Sequence, residues 1–433
     1  MKNHFLKPFL VFFFLMHLHL IAQTTPYEFI YGDRLPDGPE LSHRGVEQVG
    51  VRTLVLHHSN RLDVLNSTQD KDVFYDRPLQ LEIWYPAVLK ADEQELEVYE
   101  EVMGNYNDPK RPLLPFQFKG RAKRNAEVRY AETPYPLVLV SHGYTGSRLL
   151  FTYLTEHLAS KGYVVVSIDH TDSTFRDAGP FISTLLNRSL DDLFVLDEMD
   201  RLSKDSSSFL YQLTDANTTG LIGYSMGGYG ALNVGGAGYS PEAVQFFKGL
   251  SGGRTDLEQR MIGNPTYEAS FDRRIKAIVA LAPWGMENKV WNTEGLLGLK
   301  IPTFFIAGSK DDISGYEKGI KAIYQGALNA ERYLLTYRNA RHNVAPNPPP
   351  VDAFQEGLPL NEYLRYADSV WDQRRINNIN QHFISAFLGL KLQSKASYAD
   401  YLDADAFTED APWEGFLPRT SVGLELDYQR GQE

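Results

Sequence analysis

A single serine stands between two glycines in the stretch "GLIGYSMGG" at residues 220–228. An apolar run ends at this residue, Ser225, and a helix-forming run, "MGGYGAL", begins directly after it. The stretch fits G-x-S-x-G, in which a tight turn exposes a serine oxygen and the glycines avoid collisions across the turn. We therefore expect Ser225 to be a nucleophile at the amino end of a helix, where backbone amides stabilise negative charge. The alternative is a Gly-Ser turn with only a structural role.

A serine hydroxyl needs a base, and the base needs an acid that orients it. In a strand-turn-helix context the acid and the histidine follow the serine in that order. The stretch "AGSKDDIS" offers Asp311 and Asp312, and we favour Asp311 because it comes three residues after Gly308, where the chain leaves a strand. His342 in "NARHNVA", after the last strand of the alternating pattern, is the predicted base. The alternative is that His342 is a surface loop histidine.

An oxyanion that forms during acyl transfer is stabilised by backbone amides. We expect one amide from Met226, the residue after the nucleophile. The second is expected from Tyr144 in "HGYTGS", where Gly143 lets the chain turn sharply and His142 braces the loop.

Other chemistry has weaker support. The stretch "DHTD" at 169–172 holds three side chains of the metal-binding type, and we interpret it as a hydrogen-bonded loop. The sequence contains no H-E-x-x-H motif, no phosphate-binding loop and no G-x-G-x-x-G after a first strand. We therefore expect no cofactor and no metal.

The residues just named follow short apolar runs that alternate with helical patterns from residue 135 onward. Such runs, for example "YPLVLVSHG" and "YVVVSIDH", are apolar on both faces, which is typical of a parallel sheet covered on each side. Two strand-like runs, "GVRTLVLHH" and "RPLQLEIWYPA", precede them. The pattern predicts an α/β fold with a mostly parallel central sheet, helices on both faces and the site at the carboxyl ends of the strands.

The chain has 433 residues, 43% of them hydrophobic, which is enough for one large core. We expect one domain over 23–390, with excursions at 90–130, 236–272 and 343–370. The first excursion reads as exposed and partly helical, and either of the other two could cover the site as a lid. The acidic, aromatic tail at 391–433 is expected to pack on or near the domain or to touch the site.

The first 22 residues have a positively charged start and an apolar run that ends at Ala22. We interpret them as a signal peptide cleaved near Ala22, which predicts a secreted or periplasmic protein without stable membrane insertion after cleavage. The alternative is an uncleaved membrane anchor. The net charge of −12 disfavours nucleic acid as a partner, and the chain has no cysteine for a disulfide. The sequence leaves the oligomeric state open.

The stretch "PYPLVLVSHGYTGSRLLFTYLTEHLASKGYVVVSIDH" resembles a branch of the α/β-hydrolase superfamily. This branch contains the platelet-activating-factor acetylhydrolases and the dienelactone-hydrolase-like bacterial esterases. The resemblance runs from about residue 48 to 390, with gaps at 90–130 and 236–272, and implies an α/β-hydrolase fold. The animal acetylhydrolases carry their acid one strand after the nucleophile, where this chain reads "ALAPWG". The resemblance to the bacterial esterases instead implies Asp311.

A second resemblance concerns the pocket. The stretches "GYTG", "GYSMGG" and "APW" are together similar to the pocket of bacterial cutinases and polyester hydrolases. It implies that Tyr144 and Met226 flank the oxyanion site and that Tyr144 and Trp284 contact the substrate. The alternative is that all three residues are ordinary lining for any ester acyl group.

Together these observations predict a secreted serine hydrolase that cleaves small-molecule or lipid-like carboxylic esters through an acyl-enzyme. One alternative is a cutinase-like polyester hydrolase. A second is a peptidase or amidase, because the same triad cleaves amides. A third is a non-catalytic binding protein on a hydrolase fold.

Overall fold

The computed structural model describes residues 28–406 and 412–432. The predicted signal peptide, residues 1–22, lies outside the described residues. Within the described part of the chain, none of the helices is both long enough and apolar enough to span a bilayer.

A large mixed sheet forms the centre of the molecule. The strands, in chain order, are β1 (Gln48–Leu62), β2 (Phe74–Val88), β3 (Glu97–Met103), β4 (Leu114–Gly120), β5 (Lys123–Arg124), β6 (Glu127–Val128), β7 (Tyr135–Ser141), β8 (Val164–Asp169), β9 (Thr214–Tyr224), β10 (Ile275–Leu281), β11 (Thr303–Gly308), β12 (Arg332–Tyr337) and β13 (Leu424–Gln429). The main sheet has the order β13-β12-β11-β10-β9-β7-β8-β2-β1-β5, and β6 pairs with β2.

The six inner strands, β7 to β12 in chain order, are parallel. Strands β2 and β13 flank this group, and each runs antiparallel to its neighbour in it. Every residue of β11 and β12 is buried, as expected for strands covered on both faces. This arrangement confirms the predicted α/β-hydrolase fold.

Helices connect the strands and cover the sheet. They are α1 (Thr152–Ser160), α2 (Phe181–Lys204), α3 (Met226–Val234), α4 (Pro241–Leu250), α5 (Pro265–Glu268), α6 (Thr293–Leu297), α7 (Lys321–Gly326), α8 (Leu360–Leu364) and α9 (Gln373–Leu392). Helix α1 packs with α9, and α2 packs with α3. The long helix α9 lies at the end of the predicted domain, which was expected to finish at residue 390.

The expectation of an exposed, partly helical excursion at 90–130 was wrong. Strands β3 and β4 in this excursion form a separate antiparallel sheet. Alternate residues are buried, namely Tyr99 and Glu101 in β3 and Phe116 and Phe118 in β4. The intervening residues are exposed and mostly polar or charged. The alternation of buried and exposed side chains that is typical of a strand was therefore not recognised in this charged stretch.

The tail after residue 391 packs on the domain. Strand β13 pairs antiparallel with β12 and so becomes the edge of the main sheet. The rings of Trp413 and Phe416 contact Phe383 of α9, at centroid distances of 6.3 and 5.8 Å. The tail is therefore part of the core rather than an extension from it.

Candidate active site

Ser225 lies on the turn between β9 and α3, at the carboxyl edge of the sheet. Its φ of 52° and ψ of −111° lie in a region that non-glycine residues rarely adopt. Backbone hydrogen bonds hold this conformation: the Ser225 amide donates to Leu281 O at 2.9 Å, and the Ser225 carbonyl accepts from the Trp284 amide at 3.1 Å. Such strain persists only where the surroundings over-determine it, and it is common at functional sites.

The two flanking glycines are required by close backbone approach. A Cβ added to Gly223 would lie 2.3 Å from the carbonyl oxygen of Gly227. One added to Gly227 would lie 1.9 Å from the carbonyl oxygen of Ser141, at the end of β7. The turn can therefore form at this tightness only with glycine at both positions, as the G-x-S-x-G pattern predicts.

A Gly227→Ala substitution should therefore destabilise the fold by more than about 3 kcal/mol, because backbone atoms must move to admit the methyl group. Gly249→Ala in α4 is the matched control, since nothing lies within 4 Å of its added Cβ. It should be neutral or stabilising by up to about 1 kcal/mol. Urea unfolding measures both effects, and equal stabilities of the two variants would contradict the packing argument.

Three side chains from the ends of three strands form one hydrogen-bonded chain. His342, five residues beyond β12, places Nε2 3.1 Å from the Ser225 Oγ. Its Nδ1 lies 2.8 Å from Oδ2 of Asp311, just after β11. The carboxylate acceptor requires that Nδ1 carries the proton, which leaves Nε2 free to accept the serine proton. The structure thus brings together the predicted nucleophile, base and acid.

The two candidate acids have different surroundings. The other oxygen of Asp311, Oδ1, accepts hydrogen bonds from the amides of Ile313 and Ser314, at 2.9 and 2.8 Å. Burial raises the pKa of Asp311, but the hydrogen bonds from His342 and the two amides outweigh burial and hold the pKa below its usual value. Asp312 instead forms an exposed ion pair with Arg341. The geometry therefore favours Asp311 as the partner of His342.

The loop after β7 approaches the nucleophile closely. A Cβ added to Gly143 would lie 3.2 Å from the Cβ of Ser225, so the backbone that leads into Tyr144 passes beside the serine. The His142 Nδ1 donates to the Gly143 carbonyl at 2.6 Å, and the Arg188 Nη1 donates to the His142 carbonyl at 2.6 Å. His142 and Arg188 thus hold the loop in place through these two hydrogen bonds. The backbone at Tyr144 lies close to Ser225, as expected for the predicted oxyanion donor.

Met226 is the first residue of α3, and its amide has no acceptor within the helix. It is one of the two donors predicted for the oxyanion, and the Tyr144 amide is the other. The Met226 amide lies at the amino end of α3, where the helix dipole favours negative charge.

The side chains of "DHTD" are each engaged by another element of the protein. The pairs are Asp169 with Arg148, His170 with Asp191, and Asp172 with Arg77. Burial lowers the pKa of His170 to about 3, so its ring is neutral. Asp191 joins two of these pairs, because it accepts hydrogen bonds from both His170 and Arg77, and the His170 amide donates to Nε2 of His142 at 3.2 Å.

The predicted pocket aromatics form a row. The Tyr144 hydroxyl donates to the Gly179 carbonyl at 2.9 Å, and its ring meets Phe181 edge-on at 5.4 Å. Phe181 in turn meets Trp284 edge-on at 5.3 Å. Tyr144 lines the cleft beside Ser225, but Trp284 is not among the lining residues of that cleft. The indole of Trp284 packs between Phe181 and Tyr229 instead.

A cleft of about 350 Å³ opens beside Ser225 and His342. The loop around Tyr144 forms part of the lining of the cleft, and 343–370 supplies much of the rest. Of the two stretches expected to cover the site, 343–370 therefore lines the cleft. The other, 236–272, contributes no lining residue to this cleft and is tied by Arg254 to the loop between β1 and β2.

Sequence reasoning did not identify three arginines that line the cleft: Arg111, Arg341 and Arg365. Arg111 comes from the connection between β3 and β4, and Arg365 from the end of α8. Neither stands in a motif, and no spacing in the sequence relates them to Ser225. Only the folded chain places them together.

The chain is similar in sequence to several known proteins. The family model for platelet-activating factor acetylhydrolase, isoform II, matches residues 113–182. Cutinase est1 from Thermobifida alba is 28% identical over 214 residues, covering 49% of this chain and 55% of the cutinase. Cutinase cut1 from Thermobifida fusca is 27% identical over 216 residues, covering 50% of this chain and 51% of the cutinase. The chain thus spans about half the length of the cutinases that it matches.

A solved structure described as a ferulic acid esterase from Streptomyces cinnamoneus aligns with a TM-score of 0.52 and 19% identity. The alignment covers 91% of this chain and all of that one, so the two share a fold. With its strand order and the tight turn at Ser225, the chain is an α/β-hydrolase-fold protein, and its sequence resembles the platelet-activating factor acetylhydrolases and the cutinases.

Proposed function

We propose that this protein is a serine hydrolase that cleaves carboxylic esters. The observation that carries the proposal is the hydrogen-bonded chain from Ser225 through His342 to Asp311, which borders an open cleft. The resemblance to proteins named as cutinases supports ester rather than amide substrates. The proposed partner is a small-molecule or lipid-like ester, with neither nucleic acid nor stable membrane insertion.

In the proposed reaction the Ser225 Oγ attacks the ester carbonyl carbon while His342 takes the hydroxyl proton. The negative charge on the carbonyl oxygen faces the amides of Tyr144 and Met226. His342 then gives its proton to the departing alcohol, and an acyl-enzyme remains. Water, deprotonated by His342, attacks this ester and releases the acid. Asp311 keeps the imidazole in the required tautomer throughout and stabilises its positive charge.

A fluorophosphonate probe should label Ser225 and no other serine, because only an activated serine attacks the phosphorus. Peptide mass spectrometry locates the label. The labelled enzyme should also lose its hydrolysis of 4-nitrophenyl butyrate in proportion to the label. Full activity after complete labelling, or label on another serine, would contradict the assignment.

Cutinase-like hydrolysis of polyesters is a second candidate, favoured by the sequence similarity to cutinases. The wall formed by 343–370 favours smaller substrates, because it narrows access to Ser225. A series of 4-nitrophenyl esters from two to twelve acyl carbons, run beside a polyester film, separates the two. A steep fall beyond four carbons with no product from the film supports a small-ester hydrolase. Release of product from the film supports the cutinase-like function.

Two further alternatives have direct tests. A peptidase or amidase would cleave a matched 4-nitroanilide at a rate comparable to the ester, whereas we propose a wide margin in favour of the ester. A non-catalytic binding protein would hydrolyse neither compound. The distance of 3.1 Å between Nε2 of His342 and Oγ of Ser225 supports a catalytic site rather than one that has lost its activity.

We also propose that the protein is exported and that residues 1–22 are removed. The support is the positively charged and then apolar start of the chain. The mass of the protein purified from outside the cytoplasm should correspond to a chain that begins at Gln23. A retained amino-terminal segment in membrane fractions would instead support an anchor.

A further inference from the structure

Arg365 lies at the end of α8 and lines the same cleft as Ser225 and His342. Its Nη1 donates to the Thr145 carbonyl at 2.6 Å, next to the predicted oxyanion donor Tyr144. Its guanidinium carbon lies 5.1 Å from the ring centroid of Phe175. The guanidinium is therefore held in place at the wall of the cleft by one carbonyl and one aromatic ring.

Arg365 has no carboxylate partner in the described part of the chain. Its Nε is buried without an acceptor, and its Nη2 makes no hydrogen bond to any described residue. Arg365 is partly buried at the wall of the cleft, and a charge that is partly withdrawn from water without a partner is costly, so proteins rarely retain one without a role. Burial, followed by the positive charge of Arg111, lowers the pKa of Arg365, and the nearby Glu362 carboxylate offsets this only in part.

The nearby acids are already engaged. Glu362 accepts from Arg111 at 2.6 Å with one oxygen and from the Gly104 amide at 2.8 Å with the other. Asp312 pairs with Arg341, and Asp368 accepts from the Arg341 amide at 2.7 Å. The acids around the cleft are thus turned toward other donors, and Arg365 is left available to an anion that enters from solvent.

We propose that Arg365 binds a carboxylate carried by the ester substrate, so the preferred substrates are esters with a free carboxylate near the scissile bond. This inference rests on the proposed esterase function and names its substrate class. A half-ester of a dicarboxylic acid carries the charge on the acyl side, and an ester of a carboxylated alcohol carries it on the leaving side. A planar guanidinium matches a carboxylate in both cases.

The test compares esters that differ only in charge. On the acyl side the pair is 4-nitrophenyl hydrogen adipate and methyl 4-nitrophenyl adipate. On the alcohol side it is 4-acetoxybenzoate and methyl 4-acetoxybenzoate. The wild type should prefer the charged member of at least one pair by about tenfold or more in kcat/KM, at about 0.15 M salt so that distant charges are screened. The pair that shows the preference identifies the side that bears the carboxylate.

In Arg365→Gln, kcat/KM for the preferred charged ester should fall about 10- to 100-fold, mainly through KM, because a charge-assisted hydrogen bond is lost. The neutral ester should change by less than about threefold. Arg365→Lys should recover part of the preference for the charged ester. Lysine keeps the positive charge but lacks the planar guanidinium that donates two parallel hydrogen bonds to a carboxylate. The matched control is Arg341→Gln, which removes an exposed arginine of the same cleft that is already paired with Asp312, and it should leave the preference for charge in place.

The outcomes separate this inference from the proposed function. Hydrolysis of the neutral esters by the wild type, without preference for charge in either pair, overturns the substrate class and leaves the esterase intact. An equal loss of charged and neutral activity in Arg365→Gln also overturns it, because Arg365 would then only position the Thr145 loop. If the wild type hydrolyses none of the four esters, the proposed function itself fails.

Discussion

Replacement of Ser225 by alanine is expected to lower kcat for 4-nitrophenyl butyrate by at least about 10⁴-fold, since loss of the nucleophile of a triad removes the acyl-enzyme route. The substitution removes one oxygen from a residue that is 6% exposed and leaves the backbone of the turn unchanged. The alanine must adopt the same φ of 52°, so we expect a small loss of stability rather than unfolding. Stopped-flow or steady-state absorbance measures the rate, and the unfolding midpoint reports on the fold.

The residual rate of Ser225→Ala reports on the parts of the site that remain in the variant. The amides of Tyr144 and Met226 and the cleft persist, so a rate above that of the uncatalysed reaction is expected. Ser314, whose hydroxyl donates to the Ala282 carbonyl at 2.9 Å, provides a matched control. Ser314→Ala removes a buried hydroxyl near the acid and should change kcat far less than Ser225→Ala. A rate in Ser225→Ala that equals the wild-type rate would refute the mechanism.

Asp311→Asn is expected to lower kcat by about 10⁴-fold, whereas Asp312→Asn is expected to change it by only a few fold. Asparagine can donate to Nδ1 of His342, which stabilises the tautomer that cannot accept the serine proton. Asp312 lies one residue further along the chain but contacts Arg341 at the surface, where ion pairs contribute little. The two variants make the same chemical change at adjacent positions. The ratio of their kcat values therefore reports only on which of the two aspartates is replaced.

The pH profile strengthens the comparison. Because the pKa of Asp311 lies below its usual value, the carboxylate is ionised through the neutral and mildly acidic range. Its favourable contact with His342 is present above the ordinary pKa of an aspartate and is lost as the pH falls through the lowered pKa. Asp312→Asn should therefore keep the wild-type acid limb. If Asp312→Asn proves the more damaging variant, the assignment of the acid is wrong.

The strands that precede Ser225, Asp311 and His342 could be predicted, because each has a sequence pattern that is local. Each of "GLIGY", "TFFIAG" and "RYLLTY" is a short apolar run, and each is a strand of the main sheet. The turn at Ser225 is also local, since Gly223 and Gly227 act within five residues. Chain order and the carboxyl-edge rule then bring the acid and the base to the same place.

The parts that could not be predicted depend on distant contacts. No side-chain cap marks the start of helix α2 at Phe181, and its first turns are instead buried against other parts of the molecule. Strand β13 has the alternating pattern "LELDYQ", but the sequence does not show that its partner is β12, which lies far earlier in the chain. Arg365 reaches the cleft only through the path of 343–370.

The ion pair between Arg111 and Glu362 links two excursions that are 251 residues apart in the chain. Glu362 is 1% exposed, so removal of its partner would leave a buried charge, at a cost of about 3–5 kcal/mol. The connection between β3 and β4 and the residues of α8 are therefore held together by one buried contact. A substitution at Arg111 is accordingly expected to displace Glu362 and the neighbouring Arg365, although the two excursions lie far apart in the sequence. Changes in either excursion should thus alter the lining of the cleft and the contact at Thr145 together.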